Sequence, residues 1–461
     1  MGKKIKSTQI KTVEKKLNRN LIYIPLVILL IKFITIPNII SGVADIWKGA
    51  WPGADGEHYL TGTTGIVVDG IYSNSDKLTF WPAGYPLLMS IFEKITLNNF
   101  LIIVSIIQSC FFAFATYFFT KSISKTKLFF LALPVSFFIS INPTLSLSSL
   151  AIGYESLIAS AFLLSAGLII NRIDDKNQRS VLLLGLYLGL LMFLVVFIQP
   201  RYFLVAIFFS LFILILSQVS LKIKSISVLI LLVITMFAPV ILVYRNHVAV
   251  GQNIISNNLG ATMKIGAGDS ATGGYTETND SLKCDGENKS AAPTDSDLIR
   301  CVVNWYLKNP VKTAKLVVKK SQYFWSPWSG PLANGTMARN PWLKIDPIMN
   351  IAKNQQGRNL VTGPFGIIVS WVWLLGGLIL LFSGFYWLHN GRGQLRQLAW
   401  LSFSPILISW LISVGTIGDH RFRLPTMGLS LFLQVAGYFA LKNRFKTDKL
   451  APTFEQPARS R

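Results

Sequence analysis

Residues 226–245 read ISVLILLVITMFAPVILVYR. No charge enters until the last position, and the apolar residues run continuously. About 20 such residues cross a hydrocarbon core as a helix. A barrel strand would alternate apolar and polar positions instead. The run is typical of the chain, which is 51% hydrophobic and 14% charged with a mean hydropathy of +0.48. A soluble protein of 461 residues would need far more polar surface.

Similar runs fall at 21–43, 98–120, 127–142, 150–170, 181–198, 201–219, 361–387, 397–415 and 425–441, and 82–97 reads as a further short or re-entrant helix. The expected fold is an all-α integral membrane protein, a polytopic helical bundle of about 10–12 transmembrane helices with amphipathic helices in an extracytoplasmic loop region. Four parts follow along the chain. Residues 1–245 form an N-terminal transmembrane module with a polar first loop at 44–81. Residues 246–360 form the long loop region, 361–445 the C-terminal spans, and 446–461 a tail.

The net charge of +23 would suit nucleic acid, but its placement argues for a bilayer. Lys121, Lys125, Lys127, Arg172, Lys176, Arg179, Lys222, Lys224, Arg392, Arg396, Lys442, Arg444 and Lys446 fall between spans on one side. Lys3, Lys4, Lys6, Lys11, Lys15, Lys16 and Arg19 join them. Basic loops stay in the cytoplasm, so no nucleic-acid partner is expected. The run 21–43 is too long for a signal-peptide core and no convincing Ala-x-Ala site follows, which predicts a retained anchor helix. The opposite face receives 44–81, the turns near 143–149 and 199–201, 246–360, and 416–424. Abundant Lys, Ile and Asn point to an AT-rich bacterial genome, an inner (plasma) membrane, and a periplasmic location for those loops.

The long segment divides in two. Residues 251–295 are rich in Gly, Asn, Ser, Thr and Asp and read as loop. Residues 296–325 read as helix, interrupted at Asn309-Pro310. Val311, Ala314, Leu316, Val317 and Val318 then interleave with Lys312, Lys315, Lys319 and Lys320. That pattern suits a membrane surface, or a helix packed on the protein with a solvated lysine face. Cys284 and Cys301 share this segment, and their separation alone leaves a disulfide open. Cys110 reads as packing inside a span. The triplets at Asn279, Asn288 and Asn334 are what chance gives in so polar a loop.

The first loop carries the chemistry. Asp45, Asp55, Glu57, Asp69 and Asp76 face only Lys48 and Lys77. Asp55 stands apart, with Gly53 and Gly56 allowing close backbone approach and Tyr59 one helical turn on. An acid held at the edge of a membrane bundle is costly and marks function. A carboxylate there can take a proton from an attacking hydroxyl. Elsewhere, Glu155 lies just inside an apolar run and needs a partner, and Lys32 sits within the first span.

Asp55-Gly-Glu-His-Tyr59 followed by Pro82-Ala-Gly-Tyr-Pro-Leu-Leu88 resembles the GT-C type glycosyltransferases, more narrowly the protein O-mannosyltransferase and aminoarabinose transferase superfamily. Asn142-Pro143 with Tyr154-Glu155, Gln199-Pro200-Arg201, Val243-Tyr244-Arg245-Asn246-His247, Asn309-Pro310 with Trp325, and Arg421-Phe-Arg423-Leu-Pro425 resemble further pieces of that superfamily, in the same order. The sequence also departs from it. His58 stands where aminoarabinose transferases carry Arg, Trp81 where they carry Lys, and Gly56 separates acids that are adjacent in the mannosyltransferases.

The resemblance implies an inverting membrane glycosyltransferase that takes a sugar from a polyprenyl-phosphate carrier. The acceptor is a hydroxyl or amine on a glycan, lipid or protein, and Asp55 is the general base. Substrate-binding candidates are Glu57, His58, Tyr59, Tyr85, Glu155, Arg201, Arg245, Arg421 and Arg423. The arginines are candidates for the phosphate, with Arg421 or Arg423 foremost, because guanidinium binds phosphate oxygens bidentately. No cofactor is expected. His58, His247, His389 and His420 fit no zinc spacing, and a monophosphate leaving group does not demand a metal. The glycines at 265–269 lack the strand–turn–helix setting of a dinucleotide site, and no Walker sequence is present. The rival readings are a transporter or flippase for lipid-linked glycans, and a polysaccharide polymerase or ligase using diphosphate-linked donors.

Overall fold

The computed structural model describes residues 19–34, 49–52, 55–96, 99–172, 175–216, 218–274, 282–284, 294–325 and 363–443. The N-terminal lysines 3–16, the end of the first expected span, Asp45, the Asn triplets and the C-terminal tail lie outside these residues.

Helix α1 covers 19–34. The polar first loop holds α2 (Gly56–Asp69) and α3 (Asp76–Phe80). Then come α4 (Gly84–Thr96), α5 (Phe100–Ser124), α6 (Ala132–Ile141), α7 (Pro143–Ser148), α8 (Glu155–Ile170), α9 (Gln178–Ile198), α10 (Phe203–Leu216) and α11 (Leu221–Val250). The long segment carries α12 (Asn258–Ile265), α13 (Asp295–Lys308) and α14 (Pro310–Phe324). The C-terminal part is α15 (Gly363–Asn390), α16 (Gln394–Gly415) and α17 (Met427–Lys442). The chain is thus an all-α, multi-pass membrane protein. Among the described residues, each expected span overlaps a helix.

Among the described residues, five helices are long and apolar enough to cross a membrane: α5, α9, α11, α16 and the 421–442 run ending in α17. Other expected spans are shorter apolar helices, Phe129–Ile141, Glu155–Ile170, Pro200–Ile215 and Leu374–Asn390. α8 shows why a short helix belongs in such a bundle. It is hydrophobic on all sides and buried along nearly its whole length, as expected of a helix enclosed by other helices. Helix α4 would extend only about 20 Å at 1.5 Å per residue, too little to span, as its sequence suggested.

The turn expected near 143–149 is a short helix, α7, and two further boundaries differ from the sequence reading. Residues 151–152 are not helical: Ala151–Ile152 pair in parallel with Trp51–Pro52 as two short strands, β2 and β1. The interval 251–295 contains α12, because Gly260 lets it press against α13. A Cβ there would lie 2.5 Å from the Asp295 carbonyl oxygen. Asn309-Pro310 does break the helix, with Pro310 opening α14. Cys284 and Cys301 are joined by a disulfide with Cα atoms 5.9 Å apart.

Small residues set the helix spacing. A Cβ on Gly185 of α9 would lie 2.3 Å from the Ser227 carbonyl of α11. On α15 and α17, Gly384 and Gly437 would each bring a Cβ within 1.9 Å of a backbone oxygen on the other helix. In lipid, where apolar burial gives helices no preference for one another, such close approach supplies the packing energy. Lys32 is buried in α1, with its ammonium donating to Ser149 Oγ at 2.8 Å and lying 4.7 Å from the Phe112 ring centroid.

Candidate functional site

Four segments far apart in sequence meet at one end of the bundle. They are the start of α2, the start of α8, the 3-10 turn Pro200–Tyr202 and the 3-10 turn His420–Thr426. The β1–β2 pair sets the first two side by side. Gln108 secures the second, donating to the carbonyls of Ala151 at 2.9 Å and Ser149 at 3.3 Å. The Tyr85 phenol donates to Gln108 Oε1 and accepts from the Gly153 N–H, each at 3.2 Å. Tyr154 and Glu155 follow directly.

Asp55 occupies the N-cap of α2, where an aspartate commonly accepts from the helix's own N–H groups. It makes no such bond. Its carboxylate turns instead to Arg421, Oδ2 lying 2.5 Å from Nη2. The contact joins two charges without hydrogen-bond alignment, since Nη2 has no aligned acceptor. On its other edge Arg421 donates from Nε to Glu155 Oε1 at 2.7 Å. Asp419 fixes the turn, its carboxylate accepting the Arg421 backbone N–H at 2.8 Å. Glu155 is 1% exposed, and its Oε2 meets no donor among the described residues.

Arg201 stands beside this triad. Its guanidinium carbon is 4.0 Å from the Phe422 ring centroid, and Nη2 donates to the Tyr154 hydroxyl. Its Nε is buried and has no hydrogen-bond partner among the described residues. Arg421 lies across the same Tyr154 ring, 5.3 Å from its centroid.

Aromatic side chains wall the cluster. Tyr59 packs edge-on against Tyr85 at 5.2 Å and against Tyr154 and Trp81 at 6.2 Å. His58 stacks on Trp81 at 5.7 Å. Burial, with the nearby Asp55 charge adding to it, pushes the Tyr59 phenol well above its usual range. Burial also pushes Tyr85 up. Both phenols therefore stay protonated and can donate.

Asp55, Tyr59, Tyr85, Glu155, Arg201 and Arg421 are thus brought together, with His58 at the edge. Arg423 lies on the far side of its turn, 5.8 Å from the Trp325 ring centroid and within electrostatic reach of Asp419. Glu57 is exposed in the first turn of α2, where a negative charge suits the helix dipole. Arg245 has a different environment. It is 3% exposed and donates to the backbone carbonyls of Ile71, Ser73 and Leu78, tying the α2–α3 turn to α11.

Tyr154, Phe422, Trp81 and Gln108 were not singled out as site residues. Gln108 had a signal, being a lone amide within an apolar run. Tyr154, Phe422 and Trp81 stood within or beside the stretches that resemble the superfamily, but rings are abundant throughout this chain and gave no reason to pick these out as site residues. Among the described residues, no three His, Cys, Asp or Glu side chains gather as metal ligands would.

No protein-family model matches the sequence, and no curated relative does. Among solved structures, the chain is similar to the archaeal oligosaccharyltransferase AglB from Archaeoglobus fulgidus, solved with an inhibitory peptide and a dolichol-phosphate. The identity is 13% and the TM-score 0.44, over 91% of this chain and 52% of that one. The chain therefore spans about half the length of that protein. A likeness this distant says nothing of what the chain binds or does.

Proposed function

We propose that this protein is a membrane glycosyltransferase of the GT-C type. It moves a sugar from a polyprenyl-phosphate carrier to an acceptor hydroxyl or amine, on the extracytoplasmic side of a bacterial inner membrane. The observation that carries the reading is the meeting of Asp55, Glu155, Arg201 and Arg421 within an aromatic wall at one end of a lipid-embedded bundle. Carboxylates, guanidinium groups and an aromatic wall suit a sugar bound next to a phosphate.

The step is a displacement at the anomeric carbon. Asp55 takes the acceptor's proton, using Oδ1 while Oδ2 stays with Arg421. The acceptor oxygen or nitrogen forms the new bond to the anomeric carbon, the bond to the phosphate oxygen breaks, and the carrier phosphate leaves with the electron pair. One displacement inverts the configuration. Cationic donors stabilise the leaving phosphate as its charge grows.

The test is transfer from a polyprenyl-phosphate sugar by the full chain in proteoliposomes, with Asp55→Asn in parallel. Transfer by the wild type and its loss in the variant support the reading. Full transfer by the variant would remove the base, and carrier movement without transfer would make the protein a flippase.

A further inference from the structure

The cluster contains more than one guanidinium, and the structure gives them different work. Arg421 shares its one positive charge between two carboxylates, Asp55 at 2.5 Å and Glu155 at 2.7 Å. With both acids ionised, that trio carries one net negative charge and repels an incoming anion. Arg245 spends its donors on three backbone carbonyls and on Asn246 Oδ1 at 2.7 Å. Arg423 faces Asp419 and the Trp325 ring.

Arg201 is set differently. No carboxylate pairs with it within ion-pair distance among the described residues. Its nearest partners are rings and a phenol: Phe422 at 4.0 Å, Tyr202 at 5.4 Å, Tyr154 at 5.5 Å, and the Tyr154 hydroxyl. Rings attract a cation by their faces but offer its N–H groups no acceptor. One consequence is already visible, a buried Nε donor without a partner. Leaving such a donor unmet is unfavourable, and a ligand oxygen removes that cost. The side chain as a whole is partly exposed, so a ligand has a way to reach it. Pro200 starts the turn that carries Arg201 and fixes its backbone between α9 and α10.

We propose a division of labour: Arg201 receives the anionic phosphate of the carrier, and Arg421 is a positioning residue that holds Asp55 and Glu155 in place. The assignment rests on the function proposed above. It narrows the sequence-based candidates to one guanidinium and takes Arg421 off the phosphate. The Tyr154 hydroxyl, shared with Arg201, orients the guanidinium plane. In the reaction Arg201 balances the charge that gathers on the leaving phosphate oxygen, while Arg421 keeps the Asp55 carboxylate aimed at the acceptor.

The experiment measures two quantities on the full chain in lipid nanodiscs. One is equilibrium binding of a polyprenyl monophosphate without sugar, and the other is sugar transfer. Arg201→Gln is expected to weaken carrier binding at least tenfold, and Arg201→Lys to restore part of it. Arg421→Gln is expected to bind the carrier within about twofold of wild type while kcat falls at least a hundredfold. Where Arg201→Gln does not fold, Tyr154→Phe replaces it, with an expected weakening of binding and an unchanged Asp55–Arg421 pair. Wild-type binding that Arg201→Gln or Tyr154→Phe leaves untouched overturns this assignment alone. Binding lost in Arg421→Gln and kept in Arg201→Gln reverses it. A wild type that binds no carrier phosphate overturns the glycosyltransferase reading itself, and the assignment with it.

Discussion

Asp55, which follows the first span, and Arg421, which precedes the last, close an ion pair of 2.5 Å. The pair ties the N-terminal part of the chain to its C-terminal part, and Glu155 extends it to the start of α8. An arginine beside a carboxylate attracts it by opposite charge. It also holds the group in one place, and fixed geometry is the first requirement of general-base work.

Asp55→Asn tests that work directly. The amide keeps the size of the side chain and loses its ability to take a proton. Transfer from a polyprenyl-phosphate sugar is expected to fall by about 10²–10⁴, with an unfolding temperature close to wild type. Radiolabelled transfer and thermal unfolding in detergent measure the two outcomes.

Glu155 separates charge from shape. Glu155→Ala leaves Arg421 with one partner in a buried setting, and loss of one member of a buried pair costs about 3–5 kcal/mol. Glu155→Gln retains an oxygen for Arg421 Nε and should cost clearly less. Equal unfolding temperatures for the two variants would deny the ion pair a structural role.

Lys320 predicts a pH dependence away from the site. It is 1% exposed on α14, and its ammonium donates to Tyr306 Oη at 2.8 Å and to the Val414 and Thr416 carbonyls at 3.0 and 2.6 Å. Burial pushes its pKa from 10.5 down to about 7. Between these values the unfolded chain holds a proton that the folded chain has released, so stability rises with pH across this window. Below about pH 7 both states are protonated and the cost of burying the charge is complete. The unfolding temperature of wild type relative to Lys320→Met should therefore climb from about pH 7 to pH 10. A flat difference would show that the amine keeps its proton throughout.

The disulfide at Cys284–Cys301 closes a short loop, with a sequence separation of 17. By the chain-entropy argument, removing it costs about 3 kcal/mol. Cys301→Ser should make this loop region more sensitive to protease at temperatures where the spans remain intact. Equal cleavage of wild type and variant would deny the bridge that role.

Gly437→Ala tests the helix packing. Its methyl would lie 1.9 Å from the Leu380 carbonyl oxygen, so α15 and α17 must move apart. Overpacking of this kind typically costs about 1–3 kcal/mol, readable as a lower unfolding temperature. Gly376→Ala, whose methyl meets nothing within 4 Å, is the control.

The helical, membrane-spanning character of the chain was legible residue by residue. An uninterrupted apolar run can satisfy its backbone in lipid only by forming a helix, so 226–245 declared its structure without its neighbours. The break at Asn309-Pro310 was equally local, because proline lacks the N–H that a helix needs. Asp55 and Glu155 stood out because an acid in or beside an apolar run has to be accounted for.

Which groups each arginine meets was decided only by the tertiary structure. Arg201, Arg245, Arg421 and Arg423 look alike in sequence, each a cation near the end of a span. Their surroundings depend on which carboxylates, carbonyls and rings lie within about 3–6 Å, and many of those belong to segments distant in sequence, as Asp55 is from Arg421 and Ile71 from Arg245. Charge interactions act through space and fall off with distance. Composition and order along the chain therefore fixed the helices, and packing alone decided which charges meet.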